Sequence, residues 1–103
     1  DVLVANSHSA VSVNQASKFE LSSAYPNPFN PVTSFVLSVA DDVNVSIVVY
    51  NAMGQKVDVL ADEAMSRGMY SFNWNASSMS SGVYFIRAQS GFDVSTQKIV
   101  LIK

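Results

Sequence analysis

From residue 19 onward the chain alternates with a period of two, and that period confines it to β-structure. Apolar side chains recur at every second position, as they do when successive Cβ atoms point to opposite faces of a strand. "TSFVLSV" sets Phe35, Leu37 and Val39 on one face and Ser34, Val36 and Ser38 on the other. "VNVSIVVY" gathers Val43, Val45, Ile47 and Val49, and "QKVDVL" alternates through Val57 and Val59. "MYSFNWN" sets Tyr70, Phe72 and Trp74 against Ser71, Asn73 and Asn75. "GVYFIRA", "VSTQKIVLIK" and a short "FEL" at 19–21 bring the set to about seven strands. All are rich in the β-branched and aromatic residues that strands prefer. No stretch of helix length carries a 3.6-residue period.

The connections carry turn chemistry. Asn51 and Gly54 in "YNAMGQK" suit a tight hairpin with glycine at positive φ, and Ser90-Gly91 sits between two further strands. "ADD" at 40–42 is short, while "DEAMSRG" at 62–68 and "NASSMSSG" at 75–82 read as longer connections. Short strands with turns at regular spacing predict an all-β antiparallel sandwich or barrel over residues 19–103. Residues 1–18 are small and polar with no sustained pattern, and their composition favours a linker. A stray strand, or the tail of a preceding region, is the alternative.

Composition then removes whole classes of function. A chain of 103 residues with 49% hydrophobic content suits one core, yet no apolar run approaches the roughly 20 residues of a bilayer crossing. The net charge is −2, and Lys18, Lys56, Arg67, Arg87, Lys98 and Lys103 are scattered along the sequence. That pattern gives no footprint for nucleic acid. Without cysteine there is no thiol catalysis, cysteine-ligated zinc or redox switch. The start, "DVLVANSHSA", has neither the basic opening nor the apolar run of a signal peptide, and it lacks an initiator Met, so it reads as a piece of something longer.

Catalytic candidates are weak. His8 is the sole histidine and lies in the polar N-terminal segment, away from any acid that would orient it. The acidic pairs Asp41-Asp42 and Asp62-Glu63 fall on expected loops, where carboxylates are normally solvated. Asp41, Asp42 and Asn44 offer oxygens to a hard cation but not the ligand count of a dedicated calcium loop. The expectation is a protein that is not an enzyme and holds no metal or cofactor. Tyr70, Phe72, Trp74, Tyr84 and Phe85 suggest either a core face or, less readily, a sugar-stacking platform. Asn44-Val45-Ser46 and Asn75-Ala76-Ser77 match the N-glycosylation pattern, which is frequent by chance.

All three prolines fall within "AYPNPFNPVTS". Pro26, Pro28 and Pro31 each fix φ and remove an N–H, and each disfavours helix at the residue before it. The segment is expected to be a stiff strap that cannot extend a sheet ladder normally and that blunts a sheet edge. Tyr25 and Phe29 are expected to pin it, with Asn27 and Asn30 bonding nearby backbone. Pro28-x-x-Pro31 also matches a polyproline ligand formally, without the flanking basic residue. The last strand is unusual in carrying Ile99, Val100, Leu101 and Ile102 in succession, so it is either covered on both faces or leaves one face, or its edge, for a partner.

Five blocks taken together resemble a known family. They are Tyr25-Pro26-Asn27-Pro28, continuing through Phe29-Asn30-Pro31; the Tyr50-Asn51…Gly54-Gln55 hairpin; Gly68 ahead of the Trp74 strand; Gly82-Val83-Tyr84; and the closing Lys98-Ile99-Val100-Leu101-Ile102-Lys103. In this order and spacing they resemble the C-terminal sorting domain of the type IX (Por) secretion system, type A. They are also similar to the immunoglobulin-like domain of flagellar hook-capping proteins. The sequence Trp74-Asn75-Ala76 lacks the aspartate that often follows this tryptophan in hook-capping-like members, and so leans toward the sorting type.

The resemblance implies an immunoglobulin-like β-sandwich with a non-catalytic role. It would direct a larger cargo of the same precursor from the periplasm across the outer membrane to the cell surface or the medium. The implied partners are the type IX translocon and its sortase-like peptidase, which would cut within roughly residues 5–20. The implied recognition residues are Gly82, Val83 and Tyr84 with Lys98–Lys103; Tyr25–Pro31, Gly54, Gly68 and Trp74 would be structural. An uncleaved spacer or assembly module is the rival reading, and a carbohydrate-binding module is a weaker one.

Overall fold

The computed structural model describes residues 18–103. Its elements are all strands: β1 (Glu20–Leu21), β2 (Val32–Val39), β3 (Val43–Asn51), β4 (Lys56–Met65), β5 (Gly68–Asn75), β6 (Gly82–Ser90) and β7 (Asp93–Leu101). A three-stranded sheet, β1-β2-β5, faces a four-stranded sheet, β4-β3-β6-β7, and every pair is antiparallel. This is an immunoglobulin-like sandwich in which the fourth strand joins the second sheet. The two inner faces meet in the core, where Leu37 and Val39 lie against Ile47, Val49, Ile86 and Ile99, all at 0% exposure. Full burial of each such side chain contributes about 1.5–3 kcal/mol. The expected inward sets of β2, β3 and β5 are the ones observed, with Val43 and Phe72 half-buried at the margin.

The outermost sequence positions lie outside the described residues: 1–17, with the linker reading and His8, among them.

Two expectations are corrected at β4. The segment from Asp62 to Met65 is strand, so only Ser66 and Arg67 separate β4 from β5. The acids at 62–63 therefore stand on a strand, paired with Ser46 and Val45. Alternation through Val57 and Val59 also fails, because β4 slips register against β3 twice, at Ile47/Val48 and at Val49/Tyr50. Each slip inserts an extra residue and resets which side chains face inward. Val57 and Leu60 pack against the core while Val59, opposite Val48, is exposed.

The β3–β4 hairpin follows its sequence closely. Gly54 has φ of 85°, its N–H donates to the Asn51 carbonyl at 3.0 Å, and the Asn51 Oδ1 accepts from the N–H groups of Met53 (2.9 Å) and Gln55 (3.0 Å). One asparagine side chain thus replaces the ladder partners that the turn lacks.

Candidate functional site

The sandwich has two ends of different character. The chain enters β1 at the end formed by the β2–β3 and β6–β7 turns, since Glu20 pairs Ser38 and the first residue of β7, Asp93, pairs Ser90. At the opposite end lie the strap, the β3–β4 hairpin, the β5–β6 loop and the finish of β7. Of the recognition and structural residues that the resemblance implies, Gly68 alone belongs to the entry end, where it opens β5 opposite Val39. The others, far apart in sequence, come together at the distal end.

The centre of that end is Trp74, 2% exposed. Its ring meets Phe29 of the strap at 5.8 Å and Tyr84 of β6 at 5.4 Å edge-on. Its Nε1–H donates to the Asp58 carboxylate of β4 at 2.8 Å, tying the two sheets at their margin. Tyr84 is buried too, and its hydroxyl donates to the Ser80 carbonyl at 2.7 Å. A tyrosine near the start of this strand that reaches back to upstream backbone is the tyrosine corner of immunoglobulin-like folds. β5 opens in the same way: the Tyr70 hydroxyl donates to the Ser66 carbonyl at 2.6 Å. Both corners follow one pattern, Ser-x-Gly-x-Tyr, at 66–70 and 80–84. The spacing was visible in the sequence, but nothing in a strand period marks it. Gly82 has φ of 155°, a conformation that strains a residue with a Cβ even where space is open.

The strap covers an edge, as expected, and does so through groups other than the proline nitrogens. Phe29, 2% exposed, is the anchor. Its N–H donates to the Val100 carbonyl and its carbonyl accepts from Ile102, both at 2.9 Å. The Asn27 side chain imitates one more ladder step, donating to the Lys98 carbonyl (3.1 Å) and accepting from the Val100 N–H (3.0 Å). Proline carbonyls remain available: Pro26 accepts from the Thr33 hydroxyl at 2.7 Å and Pro31 from the Ala76 N–H at 2.9 Å. The bonds preceding all three prolines are cis.

Tyr25 departs from expectation. The residue is 80% exposed, and it holds the strap by backbone bonds to Ser34 of 2.8 and 3.0 Å instead. Asn30 is exposed.

Upstream of the strap, residues 21–24 cover the rest of the same edge. The Leu21 N–H donates to Ser95 Oγ at 3.1 Å, Gln97 Oε1 accepts from the Ala24 N–H, and Gln97 Nε2 donates to the Ser22 carbonyl at 2.6 Å. The β7 edge is thus covered from Ser95 to Ile102, so of the alternatives left open for the last strand, a free edge is the one these contacts remove.

Within the terminal motif, Ile99 and Leu101 fill the core, Val100 is half-buried, and Lys98, Ile102 and Lys103 are exposed. Lys103 is fixed to the β5–β6 loop, its N–H donating to Ser81 Oγ at 3.0 Å and its Nζ to the Ser77 carbonyl at 2.6 Å. Val83, paired with Val100, is half-buried on the outer face.

Nothing at this end resembles a catalytic arrangement. Asp42, one of the oxygens considered for a cation, accepts the Arg67 N–H at 2.9 Å and so caps the β4–β5 turn.

A family model of the secretion system C-terminal sorting domain matches residues 23–103. The chain belongs to the type IX secretion C-terminal sorting domains. The match begins two residues before the strap and runs through the last strand, so it takes in the whole distal end. No curated protein matches the chain. A sorting domain of this kind serves a cargo of the same precursor, interacts with the type IX machinery and leads to the cell surface or the medium through the outer membrane. It is not a kind of enzyme. Among the described residues, no helix is long and apolar enough to cross a membrane.

Proposed function

We propose that this sorting domain is read by the translocon as a folded object, at the distal end of the sandwich, and is then cut from its cargo. The reading surface comprises Lys98, Ile102, Lys103 and the half-buried Val83 and Val100. Gly82, Tyr84, Ile99 and Leu101 serve it from beneath by fixing the backbone that carries those side chains. The observation that carries this reading is the burial of Ile99 and Leu101 beside exposed neighbours in the same strand. As a free peptide the six terminal residues would have no such division into an inner and an outer face. The cut would fall within roughly residues 5–20, just upstream of the sandwich.

The test fuses residues 1–103 to a periplasmic reporter in a type IX-competent strain. The wild-type fusion should reach the surface or medium. Trp74→Ala combined with Leu37→Ala, two core truncations of about 3–5 and 2–5 kcal/mol that leave the terminal motif intact, should unfold the sandwich and remain periplasmic. The pair Ile102→Ser and Lys103→Ala should stay folded yet export poorly. Equal export of the unfolded variant would show that a linear motif suffices. Mass spectrometry of the exported reporter should find it ending before β1; a reporter that still carries the sandwich would overturn the cleavage.

A further inference from the structure

The two outer faces of the sandwich differ in kind. On the three-stranded sheet the outward residues of β2 and β5 are Val32, Ser34, Val36 and Ser38 with Met69, Ser71, Asn73 and Asn75, a mixture of polar and apolar side chains without charge, in which Ser34 donates to Asn73 at 2.6 Å. On the four-stranded sheet, the residues between the inward-facing ones are Asn44, Ser46, Val48 and Tyr50 of β3, Val83, Phe85, Arg87 and Gln89 of β6, and Val94, Thr96, Lys98 and Val100 of β7, so the apolar and basic side chains occupy the distal part of the face. Register assembles them into rows. Lys56 pairs Tyr50, Tyr50 pairs Phe85, and Phe85 pairs Lys98. The next outward row runs Val59, Val48, Arg87, Thr96. Two half-buried aromatic rings therefore lie between two exposed lysines, with an exposed arginine one row on, and a shallow depression opens between Tyr50, Phe85, Arg87 and Thr96.

Bases that are scattered in the sequence are gathered here by pairing. No ion pair among the described residues engages Lys56, Arg87 or Lys98. Glu20, Asp41, Asp42, Glu63 and Asp93 lie in the entry half, and Asp62 stands on this face opposite Ser46, one outward row beyond Val59. Asp58 belongs to Trp74. A domain of net negative charge thus presents a face with unpaired cations and outward aromatics, the pattern of a docking surface.

Its dimensions narrow the occupant. Lys56 and Lys98 stand on the two outer strands of the sheet, three strand spacings apart, or about 14 Å. One small anion cannot engage both. An extended polypeptide crossing the strands advances ~3.3 Å per residue, so acids at positions i and i+4 are ~13 Å apart. The side chain at i+2, on the same face of the extended chain as the two acids, would rest on Tyr50 and Phe85.

We infer that the outer face of the β4-β3-β6-β7 sheet binds an extended acidic segment of the type IX machinery, with carboxylates about four residues apart and an apolar side chain midway between them. The inference rests on the sorting role proposed above and gives that role a partner chemistry. Binding lays a chain across the face and leaves the strap-covered edge undisturbed.

The test uses the full chain, purified and as a reporter fusion. The probe is a fluorescent peptide, Ser-Glu-Thr-Val-Thr-Glu-Ser, whose Val shares a face with both Glu in an extended chain, with a counterpart carrying Gln for both Glu. Lys56→Glu, Arg87→Glu and Lys98→Glu together alter only exposed positions, and the Gln version of the same triple is a milder second variant. Both should melt as the wild type does. The Glu peptide should bind wild type at least about tenfold more tightly than the Gln peptide. That preference should vanish in both variants and weaken in high salt. Export of the triple-Glu fusion should fall about tenfold. Equal binding of the two peptides, or equal export of wild type and variant, would overturn the inference. So would phosphatidylglycerol vesicles that bind this face and are not displaced by peptide, or a concentration-dependent dimer that the variant abolishes. A wild-type fusion that stays periplasmic counts against the sorting role instead, and the peptide measurement then decides the face alone.

Discussion

At the scale of single residues, Trp74 holds more of the fold than any neighbour. It joins strap, β6 and β4 through two ring contacts and one hydrogen bond. Trp74→Ala should cost about 3–5 kcal/mol in chemical denaturation, a large share of a small domain's stability. Its role as core was legible from period two; its bond to Asp58 was not, because that pairing depends on the β4 slip that turns Asp58 inward. The tyrosine corners make separable contributions. Tyr84→Phe keeps the ring and removes the bond to Ser80, so the loss should be near 1 kcal/mol. Tyr70 adds a pH dependence. Burial raises its pKa above the usual tyrosine value, opposed by the Ser66 hydrogen bond and assisted by the charges of Asp42 and Glu63. The neutral phenol is the form the fold favours, so its contribution is complete below the unfolded value of about 10 and is lost as pH rises through the folded value. Melting curves at pH 9 and pH 11 should show a smaller alkaline loss for Tyr70→Phe than for wild type. An equal loss would assign the effect to other groups.

At the scale of elements, the strap and β7 form one unit. β7 is an edge strand, and an open edge is a template for pairing with other chains. Residues 21–29 close it with backbone where a donor exists and with side chains where proline removes one. Asn27→Ala should leave the Lys98 carbonyl and the Val100 N–H without those partners. The expected result is a modest loss of stability but a marked rise in aggregation on incubation, read by light scattering. Phe29→Ala should lower the melting temperature far more, because it empties the contact with Trp74. If Asn27→Ala stays monomeric as long as wild type does, the remaining strap contacts suffice to guard the edge. The sequence announced a rigid, edge-blunting strap; which edge it blunts is a tertiary matter, since the covered strand lies over seventy residues away.

At the scale of the whole molecule, the sandwich separates attachment from display. The described chain begins, at Lys18, toward the end where the acids cluster, while the terminal motif and the strap lie at the other end of a domain of 37 × 27 × 18 Å and the outward aromatic row lies to the side. Ends of opposite charge also give the domain a preferred orientation toward a charged partner, which should appear as an export or binding rate that falls with ionic strength.

What the sequence determined by itself was the class of structure and its inner faces. A side-chain period of two leaves a chain no alternative to strands, and Asn-Gly turn chemistry acts over a few residues, so both are local and legible. The family blocks were legible as well, as an order and spacing of motifs. What only the tertiary structure decided was everything that depends on strand neighbours: the β4 slips, the edge that the strap covers, the burial of Tyr84, and the row Lys56–Tyr50–Phe85–Lys98. Those residues lie on four strands drawn from nearly half the chain. Cross-strand register brings them side by side, and register follows from how two whole sheets close on a shared core, which no local window contains.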